Sequence, residues 1–175
     1  MHKYVLDVAT GGRSTKVILT MAPGESSRHV MMKFLALVLH LDRAPKVEFH
    51  VGQHYKPDLV CEEEGQIRLW IECGDVSVRK LDKVATTNHA AQIVVVKPTM
   101  RALESYKKQA DRRVRRPERI DYLTFEAGFV DRLAAAIPSR ASLSAEFDPQ
   151  SLELKIVHQG SDFKSRVIWV RGTPE

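Results

Sequence analysis

Two acidic residues stand at the ends of neighbouring strand-like segments. Asp58 belongs to the string Pro-Asp-Leu-Val, and Glu72 belongs to Ile-Glu-Cys-Gly, 14 positions later. A Glu-Glu-Glu-Gly turn ending at Gly65 separates the two segments, which predicts a β-hairpin. On such a hairpin the two carboxylates can share one divalent cation, because hard Mg²⁺ takes oxygen ligands. The alternative is that both acids are ordinary solvent-facing residues at strand ends.

The alternation of side chains along the second strand supports this placement. Leu69, Ile71 and Cys73 share one face of the strand, so Glu72 shares the other face with Trp70. We therefore expect the Glu72 carboxylate to lie apart from the apolar face.

A basic segment covers residues 107–119 and contains seven lysines and arginines against two acids. Such a cluster attracts nucleic-acid phosphates with little sequence preference. We therefore predict contacts to DNA or RNA from the arginines at its centre, which are Arg112, Arg113, Arg115 and Arg116. The competing interpretation is a solvated surface, which is what most charge runs form.

Other residue types that often carry chemistry show no diagnostic spacing. Apart from His54, the histidines show no His-x-x-x-His or similar spacing, which disfavours a zinc enzyme; His54 lies in a loop just before Pro57 and defines no site by itself. No glycine-rich phosphate loop of the Walker or Rossmann kind occurs. Cys61 and Cys73 are too few for a tetrahedral zinc site and lie in apolar runs, so we expect two buried thiols.

Composition bounds the class of protein. A chain of 175 residues that is 43% hydrophobic fits one folded domain spanning residues 1–175. The longest apolar run, residues 34–39, is far shorter than the roughly 20 residues that cross a bilayer. The N-terminal residues lack the apolar stretch of a signal peptide, so we expect a cytoplasmic protein without a membrane partner. The net charge of +5 permits an anionic partner without requiring one, and the oligomeric state carries no sequence signal.

Hydrophobic periodicity predicts the elements that position these residues. Strands are expected at residues 3–9, 15–20, 46–51, 57–62, 66–73, 93–96, 120–125, 143–147, 152–158 and 166–170. Helices are expected at residues 25–41, 77–88, 99–110 and 126–136, and Ser77 and Thr99 are the expected N-caps of the second and third. The all-apolar run at residues 93–96 is typical of a buried parallel strand. Strands that alternate with helices indicate an α/β chain with a mixed sheet between helical layers.

Four segments together carry a resemblance to a known family. They are Glu-Ser-Ser-Arg-His-Val-Met-Met-Lys-Phe-Leu-Ala from residue 25, Phe-His-Val-Gly from residue 49, Pro-Asp-Leu from residue 57, and Gly-Gln-Ile-Arg-Leu-Trp-Ile-Glu-Cys-Gly from residue 65. Basic residues then open the next helix, in Arg-Lys from residue 79 and Lys-Val-Ala from residue 83. This pattern resembles the YaeQ family of the PD-(D/E)xK nuclease superfamily, most closely over residues 23–96.

The resemblance implies a mixed central sheet flanked by helices. It further implies a restriction-endonuclease-like core at residues 23–125, with extra N- and C-terminal strands. The implied activity is metal-dependent hydrolysis of nucleic-acid phosphodiesters. The alternative is a nuclease-derived domain that no longer cuts and serves as a nucleic-acid- or protein-binding module.

The resemblance also implies roles for particular residues. Asp58 and Glu72 would hold Mg²⁺ or Mn²⁺, with the main-chain carbonyl of Cys73 as a possible third ligand. Glu25 would point toward the metal from the start of the long helix. Its alternative role is to complement the positive end of that helix, which contributes about 0.3–1 kcal/mol.

The chain departs from the superfamily pattern at Gly74. The strand-borne lysine should stand two residues after Glu72, and glycine can neither neutralise a phosphate nor polarise water. In YaeQ-like sequences this lysine moves to the following helix, where Lys80 and Lys83 are the candidates on one helical face. Lys83 is the first choice, because it best matches the family position.

Overall fold

The computed structural model describes residues 2–173, which fold into a ten-stranded sheet and four α-helices. The strands are β1 (His2–Thr10), β2 (Arg13–Met21), β3 (Lys46–Val47), β4 (Leu59–Glu63), β5 (Gln66–Cys73), β6 (Gln92–Val96), β7 (Ile120–Phe125), β8 (Arg140–Asp148), β9 (Glu153–His158) and β10 (Ser161–Arg171). The helices are α1 (Ser27–Leu39), α2 (Val78–Thr87), α3 (Met100–Arg113) and α4 (Phe129–Ala136). None of them is long and apolar enough to cross a membrane.

The sheet is mixed, with the order β2-β1-β8-β9-β10-β7-β6-β5-β4-β3. Strands β5, β6 and β7 are parallel to one another, and α2 and α3 are the crossovers between them. Parallel strands need such crossovers because the end of one strand and the start of the next lie at opposite ends of the sheet. All residues of β6 from Ile93 to Val96 are buried, which confirms the prediction of a buried parallel strand.

Helix α1 lies inside the curl of the sheet. It packs against β2 at one edge and against β4 close to the other edge, so the sheet is nearly closed around it. Its side chains from Val30 to Val38 are all buried, together with the inner residues Leu69, Ile71 and Cys73 of β5. A helix that is buried on every side fits the interior of such a curl.

Helices α2 and α3 cover the outer face of the parallel strands. Trp70 of β5 packs there with Leu81 of α2 and Leu103 of α3. The predicted separation of Trp70 from the inner face of β5 is therefore confirmed, and the end of β5 lies between two helical layers.

Three predicted boundaries are wrong at places that matter for the site. Helix α1 begins after its N-cap Ser26, so Glu25 precedes the helix and does not lie in its first turn. The strand predicted at residues 46–51 ends at Val47, because Glu48 adopts a left-handed conformation with φ +47°. Strand β4 begins at Leu59, so Asp58 stands just before it.

Candidate metal centre and its cleft

Asp58 is held rigidly against the end of β5. Its backbone N–H donates to the carbonyl of Ile71 at 3.1 Å, and its Oδ2 accepts the backbone N–H of Cys73 at 2.7 Å. Burial alone would raise the pKa of the Asp58 carboxyl, but the His29 imidazole, the Cys73 N–H and the Lys33 ammonium together hold that pKa below its usual value. The carboxylate is therefore ionised and oriented.

Glu25 and His29 approach Asp58 from the start of α1. The His29 Nε2 lies 3.4 Å from Glu25 Oε1 and 3.5 Å from Asp58 Oδ1. One donor atom from each of the three residues lies within 4.8 Å of the other two, which is a spacing that donors around one metal ion can have. The buried Nε2 makes no hydrogen bond of ordinary geometry within residues 2–173. A cation at this point would therefore satisfy a nitrogen and two carboxylate oxygens together.

Lys33 holds the Glu25 carboxylate in position from the protein interior. Its ammonium is fully buried and donates to Glu25 Oε2 at 3.1 Å, to Glu48 Oε1 at 2.6 Å and to the carbonyl of Thr20 at 3.0 Å. Burial lowers the pKa of Lys33, yet the Glu48 hydrogen bond and the surrounding carboxylates raise it above its ordinary value. Lys33 thus stays charged and holds two acids in place.

Glu72 has different partners from Asp58. Its buried carboxylate accepts from Trp70 Nε1 at 2.8 Å and from Lys80 Nζ at 2.7 Å, and both donors belong to the α2 side of the sheet. Burial, with a smaller contribution from Asp58, raises the pKa of Glu72 to about 7 against the opposing effect of Lys80. The structure therefore groups Asp58 with Glu25 and His29, and Glu72 with Lys80.

Of the two candidate lysines, Lys80 contacts an acid of the predicted site. Besides Glu72, it donates to the carbonyl of Lys56 at 3.1 Å. Lys83, the first choice from the sequence, is exposed on the same helix, one turn farther on. Cys73 donates its backbone N–H to Asp58, and the thiols of Cys73 and Cys61 are both buried and form no disulfide. The Cys61 thiol donates to the carbonyl of Arg43 at 3.3 Å. The expectation of two buried thiols is confirmed.

Comparison with known proteins now adds the family. A family model described as YaeQ protein matches residues 2–164. The chain belongs to the YaeQ family. The solved YaeQ protein from Xanthomonas axonopodis pv. citri is 16% identical with a TM-score of 0.77, and the alignment covers 98% of each chain. The YaeQ protein from Pseudomonas syringae is 13% identical with a TM-score of 0.73, over 98% of this chain and 96% of that one. No curated protein matches.

At such identities the two YaeQ structures show the shared fold, a mixed α/β architecture with a large sheet.

A cleft of about 610 Å³ opens beside the donor cluster. Its walls come from the start of α1, the end of β5, the end of β6 and the exposed side of α3. They include Glu25, His29, Gly74, Lys97 and Tyr106. The cleft thus gives solvent access to two of the three donor residues.

Sequence reasoning missed His29 and Lys97. His29 lies four residues after Glu25 and four before Lys33, which is the spacing of one helical face and could have revealed the cluster. Searching for His-to-His spacing could not find a site with a single histidine. Lys97 directly follows a buried parallel strand, and the carboxyl ends of such strands are where α/β sheets bind ligands.

The basic segment is divided between structural and exposed side chains. Arg115 forms an ion pair with Asp82 at 2.9 Å, and Lys107 forms one with Asp111. Arg119 donates to the carbonyls of Ala85, Asn88, His89 and Ala91, where it caps the end of α2.

The arginines predicted to contact nucleic acid lie at the end of α3 and just beyond it. All four are exposed, namely Arg112, Arg113, Arg115 and Arg116. Arg113 also lines a depression of about 560 Å³ between α2 and α3. This depression shares Tyr106 and Gln109 with the cleft beside the donor cluster.

Proposed function

We propose that this YaeQ-family protein is a metal-dependent, nuclease-like hydrolase of nucleic-acid phosphodiesters. One observation carries the proposal: Glu25, His29 and Asp58 bring three donor atoms within 4.8 Å of one another beside an open cleft. The order of α1, the β4–β5 hairpin, α2 and β6 supports a restriction-endonuclease-like core within residues 23–125.

The donor set fits a divalent cation. Asp58 Oδ2 is engaged by the Cys73 N–H, and Glu25 Oε2 by the N–H of Ala22 and by Lys33, so the other oxygen of each acid faces His29. Such outer hydrogen bonds orient metal-binding carboxylates in proteins. Two carboxylates suit Mg²⁺ or Mn²⁺, and the added imidazole favours Mn²⁺ of the two. The main-chain carbonyl of Cys73 stays a further candidate ligand.

The bound cation would lower the pKa of a coordinated water and stabilise charge on the scissile phosphate. The chain's own residues would supply the remaining steps. Glu72, whose pKa is about 7, can accept or release a proton at its carboxylate near neutral pH. Lys80 would hold Glu72 in position and place positive charge near the reacting phosphate, with Lys83 as the alternative on the same helix. The exposed arginines Arg112, Arg113, Arg115 and Arg116 would attract the nucleic-acid backbone.

A non-catalytic nucleic-acid- or protein-binding module is the second candidate. The observation that favours it is Gly74, which stands where the superfamily carries its lysine. In addition, Lys80 is already neutralised by Glu72, which weakens the positive charge that it can offer a phosphate.

Metal titration tests the site. We expect Mn²⁺ to bind the wild type in calorimetry, and to bind Asp58→Asn and His29→Gln far more weakly. Glu63→Gln removes an exposed acid from the neighbouring β4 and serves as the matched control. Equal affinity in all four proteins would overturn the site.

Nicking assays then separate the two functions. Single-stranded, duplex and branched DNA and RNA are incubated with each protein and Mn²⁺. Cleavage by the wild type that disappears in Asp58→Asn supports hydrolysis. Metal binding with no cleavage of any substrate would favour the binding module.

A further inference from the structure

Lys97 is a buried lysine whose ammonium touches no carboxylate among residues 2–173, although Asp75 acts on it at longer range. It follows β6 directly, and only 5% of the residue is exposed. Its Nζ donates to the carbonyl of Gly74 at 2.6 Å and lies 3.9 Å from the centre of the Tyr106 ring. Within residues 2–173, no carboxylate forms an ion pair with this ammonium.

The charged neighbours of Lys97 differ from those of Lys33. Both lysines are buried, but Lys33 contacts the carboxylates of Glu25 and Glu48. The pKa of Lys33 is accordingly raised, whereas burial lowers the pKa of Lys97 despite the opposing effect of the Asp75 carboxylate. Burying a charge without its counter-ion is costly, and a carbonyl and an aromatic face compensate only in part. An ammonium has three N–H donors, so Lys97 retains capacity for another acceptor.

The position of Lys97 indicates where that acceptor would lie. Lys97 lines the same cleft as Glu25 and His29, and Gly74 is part of the same cleft wall. The carbonyl of Gly74 binds Lys97, while a Cβ at Gly74 would come within 2.8 Å of His29 Nδ1. The cleft therefore has a donor cluster suited to a cation next to an ammonium that no carboxylate contacts directly, and Asp75 is a further acid of the same wall that acts on Lys97 at longer range. A phosphoryl group can bind between a metal and a lysine arranged in this way.

Tyr106 provides a second unsatisfied group in this wall. Its hydroxyl is buried and makes no hydrogen bond within the described residues. The start of α1 also borders the cleft at Ser26, and the positive end of a helix favours an anion.

We propose that Lys97 is the phosphoryl-binding residue of this cleft and supplies the positive charge that Gly74 cannot. The ligand class is a phosphate ester, and its identity as a nucleic-acid phosphodiester rests on the proposed function. Lys80 is less suited to this task, because the Glu72 carboxylate already occupies its ammonium.

Inorganic phosphate is the probe, titrated in metal-free buffer and followed by calorimetry and ³¹P NMR. Lys97→Met should weaken phosphate binding by at least about tenfold, the loss expected of one charged hydrogen bond. Lys97→Arg keeps the charge and should retain binding. Lys164→Met removes an exposed lysine of β10, away from this cleft, and should bind like the wild type.

A second variant guards against a folding defect. Lys97→Gln can still donate to the Gly74 carbonyl but carries no charge, so it should also lose phosphate binding. If neither variant folds, acetylation of the wild type decides: phosphate should slow the labelling of Lys97 and leave that of the exposed Lys164 unchanged. Phosphate binding or labelling that does not depend on Lys97 would overturn the inference.

The two proposals fail in different ways. A wild type that binds phosphate through Lys97 but does not bind Mn²⁺ would overturn the proposed function and leave the anion site. A wild type that binds Mn²⁺, with phosphate binding unchanged in Lys97→Met, would overturn only the role of Lys97.

Discussion

Gly74 leaves the space that the His29 imidazole fills. A Cβ added at residue 74 would lie 2.8 Å from His29 Nδ1, and Gly74 adopts a left-handed conformation with φ +70°. Residue 74, where the resemblance to the nuclease superfamily implies a lysine, is therefore closed to any side chain unless His29 moves. The glycine at residue 74 and the position of His29 in the donor cluster are one structural feature.

Gly74→Ala should therefore weaken Mn²⁺ binding by displacing His29. It should also lower the free energy of unfolding by more than the roughly 1–2 kcal/mol expected of left-handed strain alone. Gly52→Ala is the matched control, because Gly52 has φ +71° but open space around its Cα. Calorimetry and urea denaturation measure the two effects. Identical losses in both variants would contradict the contact with His29.

Lys33→Met should destabilise the protein and weaken Mn²⁺ binding, because Glu25 loses the ammonium that positions it. We expect a loss of about 1–3 kcal/mol in the free energy of unfolding, below that of a fully buried pair because a quarter of each carboxylate side chain is exposed. Lys46→Met is the control, since Lys46 is half exposed and pairs with Glu62 at 3.6 Å. A Lys33→Met variant as stable as Lys46→Met would show that the buried lysine is not needed.

Glu72→Gln should change how stability depends on pH in the metal-free protein. The folded pKa of Glu72 is about 7, above its ordinary 4.5, so the folded state binds this proton more tightly than the unfolded state. The resulting stabilisation is complete below about pH 4.5 and is lost as the pH rises through 7. From pH 5 to 8, stability should therefore increase in Glu72→Gln relative to the wild type, by up to about 3 kcal/mol. Denaturation curves measured across this pH range test the prediction, with Glu63→Gln as the control. If the stability of Glu72→Gln and that of the wild type changed with pH in the same way, the raised pKa of Glu72 would be contradicted.

Two arginines of the basic segment should behave differently. Arg113→Gln should lower the salt dependence of nucleic-acid binding by about one unit of slope and leave stability unchanged, since Arg113 is exposed. Arg119→Gln should leave the slope unchanged and lower the melting temperature, because Arg119 binds the carbonyls at the end of α2. Binding across a salt series and thermal unfolding distinguish them.

Replacing the four arginines together extends this test. The variant neutralises Arg112, Arg113, Arg115 and Arg116 and should bind DNA and RNA more weakly at low salt, with Mn²⁺ affinity unchanged. Part of the effect of Arg115 will be structural, because it pairs with Asp82. Wild-type affinity at every salt concentration would identify the segment as a solvated surface.

The sequence by itself determined the elements whose signals are local. The alternation in β5 and the apolar run in β6 predicted both strands and assigned Trp70 and Glu72 to the face away from the main core. Ser77 and Thr99 were recognisable as N-caps, because a capping hydroxyl acts on a backbone N–H only three residues ahead. The same locality made the family resemblance visible around Asp58 and Glu72.

The partners of those residues were decided only by tertiary structure. Asp58 and His29 are 29 positions apart in the chain, and they meet because the sheet curls around α1. Residue spacing carries no information about that closure. The pairing of Glu72 with Lys80 and the isolation of Lys97 likewise depend on which helix covers which face. The sequence alone does not distinguish Lys33 from Lys97. The three-dimensional packing brings two carboxylates into contact with Lys33, whereas Lys97 contacts the carbonyl of Gly74 and has Asp75 only at longer range.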